Sequence, residues 1–141
     1  MTSLYIAQFA SCFFMAGVIW IVQLVHYPAF YFVQASRFNE FHAFHSSRIT
    51  FIVMPAMSIE LLSAGALAWT TNEAFWKLNL VGVVALWAAT GLVSVPLHKR
   101  LLQDDDSRHE TIRKLVVTNW IRVALWSVRA MALIVAMARF A

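Results

Sequence analysis

Histidine is the residue of this sequence best suited to chemistry, and four of its five copies fall where they could act together. His26 closes the first apolar segment, His98 closes the third, and His42 and His45 lie in the short polar interval between the first two. Neutral imidazole ligates zinc, copper, iron and nickel, and its intrinsic pKa of about 6.5 also suits a general base. His42 and His45, at i and i+3 of the stretch RFNEFHAFHSS, share a helix face with Phe38 and Phe41. That face predicts a short amphipathic helix along the membrane interface. Its histidines read either as a pair of ligands to one ion or as part of an aromatic anchor. His109 lies in the charged run DDDSRHE and is left out of the site.

Positioning these residues falls to four apolar stretches. The chain has 141 residues, 61% of them hydrophobic and 13% charged, against about a quarter charged in soluble domains. Its mean hydropathy is +0.68. Apolar runs of about 20 residues are what a hydrocarbon core of about 30 Å requires. The pattern predicts one all-α domain over 1–141, a transmembrane four-helix bundle with helices at about 4–26, 50–69, 78–97 and 115–139, and the interfacial helix between the first two. Pro28 biases Tyr27 toward an extended conformation and predicts the end of the first helix there. The N-terminal run lacks a basic leader and is too long for a signal peptide, so it reads as a retained span. The single cysteine, Cys12, excludes an intrachain disulfide and a CxxC redox pair.

Charge fixes an expected orientation. Arg37, Arg48, Lys99, Arg100, Arg108, Arg113 and Lys114 lie on the face shared with the histidines, whereas Lys77 and Arg139 lie on the other. The positive-inside rule then puts the histidine-rich face in the cytoplasm and both termini outside an inner or plasma membrane. The basic residues border apolar segments, so the formal charge of +4 reflects topology and not a nucleic-acid partner. The expected partners are the bilayer and a hydrophobic small molecule, with a homo-oligomer left open.

Ionisable groups at membrane depth cost roughly 2.5–3.5 kcal/mol each, even on lenient scales. Glu60 and Arg129 sit at matching depth in the second and fourth helices, which predicts a structural ion pair. Otherwise Glu60 joins the histidines as a ligand or carries protons, with Arg129 holding its charge. Asn119, Arg122, Trp126 and Arg129 form one stripe on the fourth helix; Arg122 either snorkels to the interface or faces the bundle. Gly17 and Gly91 are the expected points of close helix approach. A transition metal at His26, His42, His45 and His98, with Glu60, is expected, iron or copper first and zinc next. Haem between His26 and His98 is a lesser variant, as is Cu(I) transport by Met15, Met54 and Met57, since methionines usually pack.

The third helix ends VPLHKRL and the fourth opens NWIRV, and the first ends HYPAF. In order and placement these resemble the small four-span anthrone oxygenase-like membrane proteins, whose members carry V-P-L-N, N-x-x-R and M-P-A-L at these points. The matching positions are Pro28, Pro96, Leu97, Asn119 and Arg122. The resemblance implies a four-helix membrane fold and O₂-dependent oxidation of a polycyclic phenolic anthrone to a quinone. His98 stands where the family has Asn, His26 where it has an apolar residue, and His42 and His45 are additions, so the anthrone itself is not carried over. The resulting expectation is a membrane-embedded oxidoreductase acting on a hydrophobic aromatic or quinone-like substrate. Asn119 and Arg122 would orient that substrate and stabilise a developing oxyanion, and Trp20, Trp87, Trp120 or Trp126 would stack on a flat ring. A metal-free version uses a histidine as base. The alternative is a non-enzymatic protein: a small complex subunit, a metal or proton carrier, or a haem electron-transfer protein.

Overall fold

Four apolar helices carry the chain, and each runs beyond the stretch that hydropathy marks. The computed structural model describes residues 2–103 and 106–140, with side chains through residue 137; the side chain of Arg139, counted above on the face opposite the histidines, lies outside the described residues. The helices are α1 (Thr2–Phe32), α2 (Ala35–Thr70), α3 (Ala74–Leu101) and α4 (Arg108–Met137 by its apolar span, continuing to Phe140). All four are long and apolar enough to cross a membrane, and the chain is a multi-pass membrane protein. They run alternately up and down in a closed ring in which α1 packs on α2, α2 on α3, α3 on α4 and α4 back on α1.

The bundle inverts the burial pattern of a soluble protein. Phe32, Phe51, Leu62, Trp69, Leu78 and Leu92 are among its most exposed large side chains, whereas Gln8, Gln23, Glu60, Asn119, Arg122 and Arg129 are buried. Lipid tails accept the apolar outer surface, so polar groups collect inside, where they bond across helices. Helix α2 ends at Thr70, two residues before Asn72, which adopts a left-handed conformation at φ 54°. Asparagine tolerates that conformation and commonly stops helices there.

Two features depart from the pattern read along the sequence. Helix α1 does not end at Pro28: Tyr27 is helical (φ −68°, ψ −42°), and the chain stays helical to Phe32. Proline removes one donor and crowds the carbonyl four residues back. Here a π-helical turn over Val22–His26, closed by the Tyr27 N–H on the Val22 carbonyl, absorbs that conflict. Helix α3 repeats the device, with a π turn over Thr90–Ser94 just before Pro96. Such turns insert an extra residue, rotate the side chains beyond it and recur at functional sites.

The second departure is the expected interfacial helix. The stretch around His42 is helical and turns Phe38, His42 and His45 inward, but it is continuous with α2. One uninterrupted α-helix runs Phe38–Thr70, 33 residues, or about 50 Å at 1.5 Å per residue. Hydropathy marks only the hydrocarbon-embedded part of such a helix; backbone hydrogen bonding carries it on past that boundary.

Candidate functional site at the histidine-rich end

Beyond the two π turns, α1, α2 and α3 bring His26, His42, His45 and His98 into one cluster. The rings of His26 and His45 lie 5.0 Å apart, those of His42 and His98 5.1 Å, and those of His45 and His98 6.2 Å. Phe30, almost fully buried, fills the centre and meets the ring of His45 edge-on at 5.2 Å. Tyr27 closes the cluster from α1. Neither Phe30 nor Tyr27 follows from sequence reasoning that ends α1 at Pro28. The available signal is the HYPAF string itself, once the proline is allowed to sit inside a helix.

The imidazoles engage one another directly. His42 Nε2 lies 2.9 Å from His98 Nδ1, and His98 Nε2 lies 3.2 Å from the Tyr27 hydroxyl. With every ring neutral, Tyr27 donates to His98 and His98 to His42, or the whole chain reverses. Both directions satisfy each contact, because a neutral imidazole carries one donor and one acceptor. His45 makes ring contacts but no hydrogen bond to another described residue, which leaves its nitrogens available.

The expected ligands are not gathered around one point. Nitrogens of His42 and His98 that would point at a shared ion point at each other, and among the described residues no three His, Cys, Asp or Glu side chains are placed to hold a metal ion. Glu60 is elsewhere: its carboxylate accepts from Arg129 Nη1 at 2.6 Å and from Trp126 Nε1 at 3.1 Å. For the haem variant, His26 packs on His45, and both nitrogens of His98 are engaged by Tyr27 and His42. His109 packs against Tyr31, with ring centroids 5.5 Å apart.

About one turn deeper lies a buried polar layer built on the π turns. Asn119 Nδ2 donates to Gln23 Oε1 at 2.8 Å, and Gln23 Nε2 donates to the Val116 carbonyl at 3.2 Å. Arg122 does not snorkel. It is 6% exposed, and its Nη1 donates to Asn119 Oδ1 at 3.1 Å and to Ser94 Oγ at 3.2 Å. Gln23 and Ser94 both belong to π turns, so the widened backbone sets the partners of the polar stripe on α4.

A cavity of about 210 Å³ joins the two layers, lined by Tyr27, His45, Ser94, His98 and Arg122 at its polar end. Below them its walls are aliphatic, with Met15, Ile19, Val22, Ile49, Val53 and Met54. The exposed lining residues Thr50, Met54 and Val95 lie on the seam between α2 and α3, which puts the mouth on the apolar outer surface. None of the four tryptophans expected to stack on a ring lines the cavity. Trp126 lies beneath Arg122, its ring 5.5 Å from the guanidinium carbon. Trp20 and Trp120 meet edge-to-face at 5.7 Å, both exposed.

A second polar layer sits deeper; its arginine is fully paired, although Asn79 Nδ2 and Gln8 Nε2 have no hydrogen-bond partner among the described residues. Arg129 bonds Glu60, and its Nε and Nη2 donate to Asn79 Oδ1 at 3.2 and 3.0 Å. This is the expected ion pair, with Asn79 and Trp126 added. Its room comes from Gly82, where a Cβ would lie 2.7 Å from Arg129 Cδ, and not from Gly17 or Gly91, which have nothing within 4 Å of the same point. Alongside, Ser63 donates to Gln8 Oε1 at 2.9 Å, tying α2 to α1.

No known protein family, characterised protein or solved structure matches this chain.

Proposed function

We propose that this protein is a membrane-embedded, oxygenase-like oxidoreductase acting on a hydrophobic aromatic or quinone-like molecule that enters its cavity from the bilayer. The observation that carries the reading is the cavity itself: an apolar chamber open on the bundle's outer surface and ending on imidazoles, a phenol and a guanidinium. Pockets with apolar walls and a few convergent polar groups are where ligands bind. The short motifs shared with anthrone oxygenase-like proteins support the same class of chemistry.

His45 is the base. It lines the cavity and, unlike His98, is not tied into the Tyr27–His98–His42 chain. It takes a proton from an activated methylene or phenol, and Arg122, oriented by its bond to Asn119, holds the charge that develops on oxygen. For a methylene, both C–H bonds break and one atom of O₂ becomes the carbonyl oxygen. The second oxygen atom leaves as water with the two hydrogens, which balances atoms and electrons. On the charge distribution read above, the histidine-rich end faces the cytoplasm and both termini lie outside.

The test is O₂ consumption by protein in nanodiscs with anthrone and alkylated hydroquinone probes, with ¹⁸O₂ used to trace the product carbonyl. His45→Ala should lower turnover by about 100-fold while leaving the protein helical and monodisperse. No uptake above the protein-free control with any probe would sink the proposal.

A second reading keeps the cavity and adds a transition metal, iron or copper before zinc. The convergence of four imidazoles favours it, and it requires the His42–His98 contact to open so that both rings turn toward one ion. Elemental analysis of untagged protein decides it: about one equivalent of metal, lost in His98→Ala, supports this version, and none after reconstitution removes it.

A further inference from the structure

We propose that the cavity takes its ligand as an oxyanion with Arg122 as the counter-charge, so that the ligand is a lipid-soluble acid: a carboxylate or phenolate head on an aliphatic body. The inference rests on the reading of the cavity as a ligand site and names the chemical class that fits it.

Arg122 is a buried cation without an anion. Its Nη1 donates only to the neutral oxygens of Asn119 and Ser94, its Nε has no hydrogen-bond partner, and one face lies on Trp126. The ionisable groups that act on it are Tyr27, whose hydroxyl also hydrogen-bonds with it, and His98, neither of which carries a negative charge at neutral pH. Carboxylates among the described residues are committed or distant: Asp106 lies in the turn before α4, about four helical turns from Arg122. Glu60 is bound by Arg129, Glu40 pairs with Arg37, and Glu110 pairs with Lys114. Glu73 caps the opposite end of the bundle, at the start of α3.

Position argues against a purely structural role. An arginine needed only as glue would fill its surroundings, as Arg129 does against Gly82 and Asn79. Arg122 instead borders an open chamber, and a cation in a low-dielectric site with free donors draws an oxyanion by charge-assisted hydrogen bonds. The rest of the cavity sets the remainder of the ligand. Its lower walls are aliphatic, and the only flat rings, Tyr27, His45 and His98, stand at the polar end. A small acidic head therefore fits between the rings and Arg122, with an alkyl body along the aliphatic walls toward the lipid.

The experiment measures binding and not turnover, so it stands apart from the oxygenase test. Protein in phosphatidylcholine nanodiscs is titrated with dodecanoate and its methyl ester, then with 4-octylphenol and its methyl ether. In the wild type at least one acid should bind about tenfold or more tighter than its neutral partner, and the pair that discriminates identifies the head as carboxylate or phenolate. Arg122→Gln should bring that ratio close to one, and Arg122→Lys should keep part of it. Val53→Phe, which fills the cavity away from its polar end, should weaken acid and ester together; if Arg122→Gln does not fold, the wild-type ratio and Arg122→Lys carry the test. Equal affinity for acid and neutral partner, or a ratio unchanged in Arg122→Gln, overturns the proposal while a saturable, Val53-sensitive neutral ligand leaves the cavity reading standing. Binding of none of the four probes overturns both.

Discussion

Arg122 and Arg129 lie seven residues apart on one face of α4, both more than nine-tenths buried, yet their surroundings differ in kind. Arg129 meets a carboxylate at 2.6 Å, a carboxamide oxygen that accepts twice, and a glycine that makes room for its stem. Arg122 meets a carboxamide oxygen, the hydroxyls of Ser94 and Tyr27, and a cavity. The first is complete within the chain. The second has its charge unanswered in the one place where the bundle leaves space. In a membrane interior, where an unpaired charge is expensive, that contrast separates a group that holds helices together from one that waits for a ligand.

The comparison can be broken most forcefully at the layer of Arg129. Glu60→Ala strands Arg129 and should cost about 3–5 kcal/mol, read as a lower unfolding midpoint in denaturant-titrated mixed micelles. The double variant Glu60→Gln with Arg129→Gln should lose much less than the two single changes summed, because no charge is left alone. Additive losses would mean that the pair is not a unit.

Gly82→Ala comes next. Its new Cβ would meet Arg129 Cδ at 2.7 Å, and displacing a packed side chain costs about 1–3 kcal/mol. Gly17→Ala and Gly91→Ala, with open space at the same point, should be neutral or slightly stabilising in the same assay. A neutral Gly82→Ala would show that Arg129 has freedom that its three hydrogen-bonding nitrogens argue against.

At the open layer stability effects are smaller and functional effects larger. Tyr27→Phe removes one hydrogen bond to His98 and should cost about 1 kcal/mol, with a change in O₂ uptake to match if the phenol touches substrate. Arg122→Gln should cost less still, under about 1 kcal/mol, since glutamine can keep an amide donor for Ser94 or Asn119 and no carboxylate is stranded. A stability loss as large as that of Glu60→Ala would erase the distinction between the two arginines.

Much of this architecture is legible along the chain. Hydropathy locates four spans, and the matched depths of Glu60 and Arg129 suffice to pair them. The placing of His26, His42, His45 and His98 near segment ends puts them at one end of the bundle but does not say whether His42 and His45 converge with the other two. Each of these readings depends on distance along a helix axis, which residue number encodes directly at a fixed rise per residue.

What the residue string leaves open is rotation about those axes. The two π turns each shift the phase of all that follows, and the one at Val22–His26 carries α1 through Pro28 so that Tyr27 and Phe30 enter the histidine cluster. The same turns place Gln23 and Ser94 against Asn119 and Arg122, and Arg122 faces inward, where the sequence also allows snorkelling. Gly82 is the close-packing glycine because Arg129 crosses it, and nothing in its own neighbours along the chain says so. Composition and depth are thus set by the sequence alone. Which side chains meet, which arginine is answered and where the cavity lies are decided by helix phase and packing, which exist only once the four helices are together.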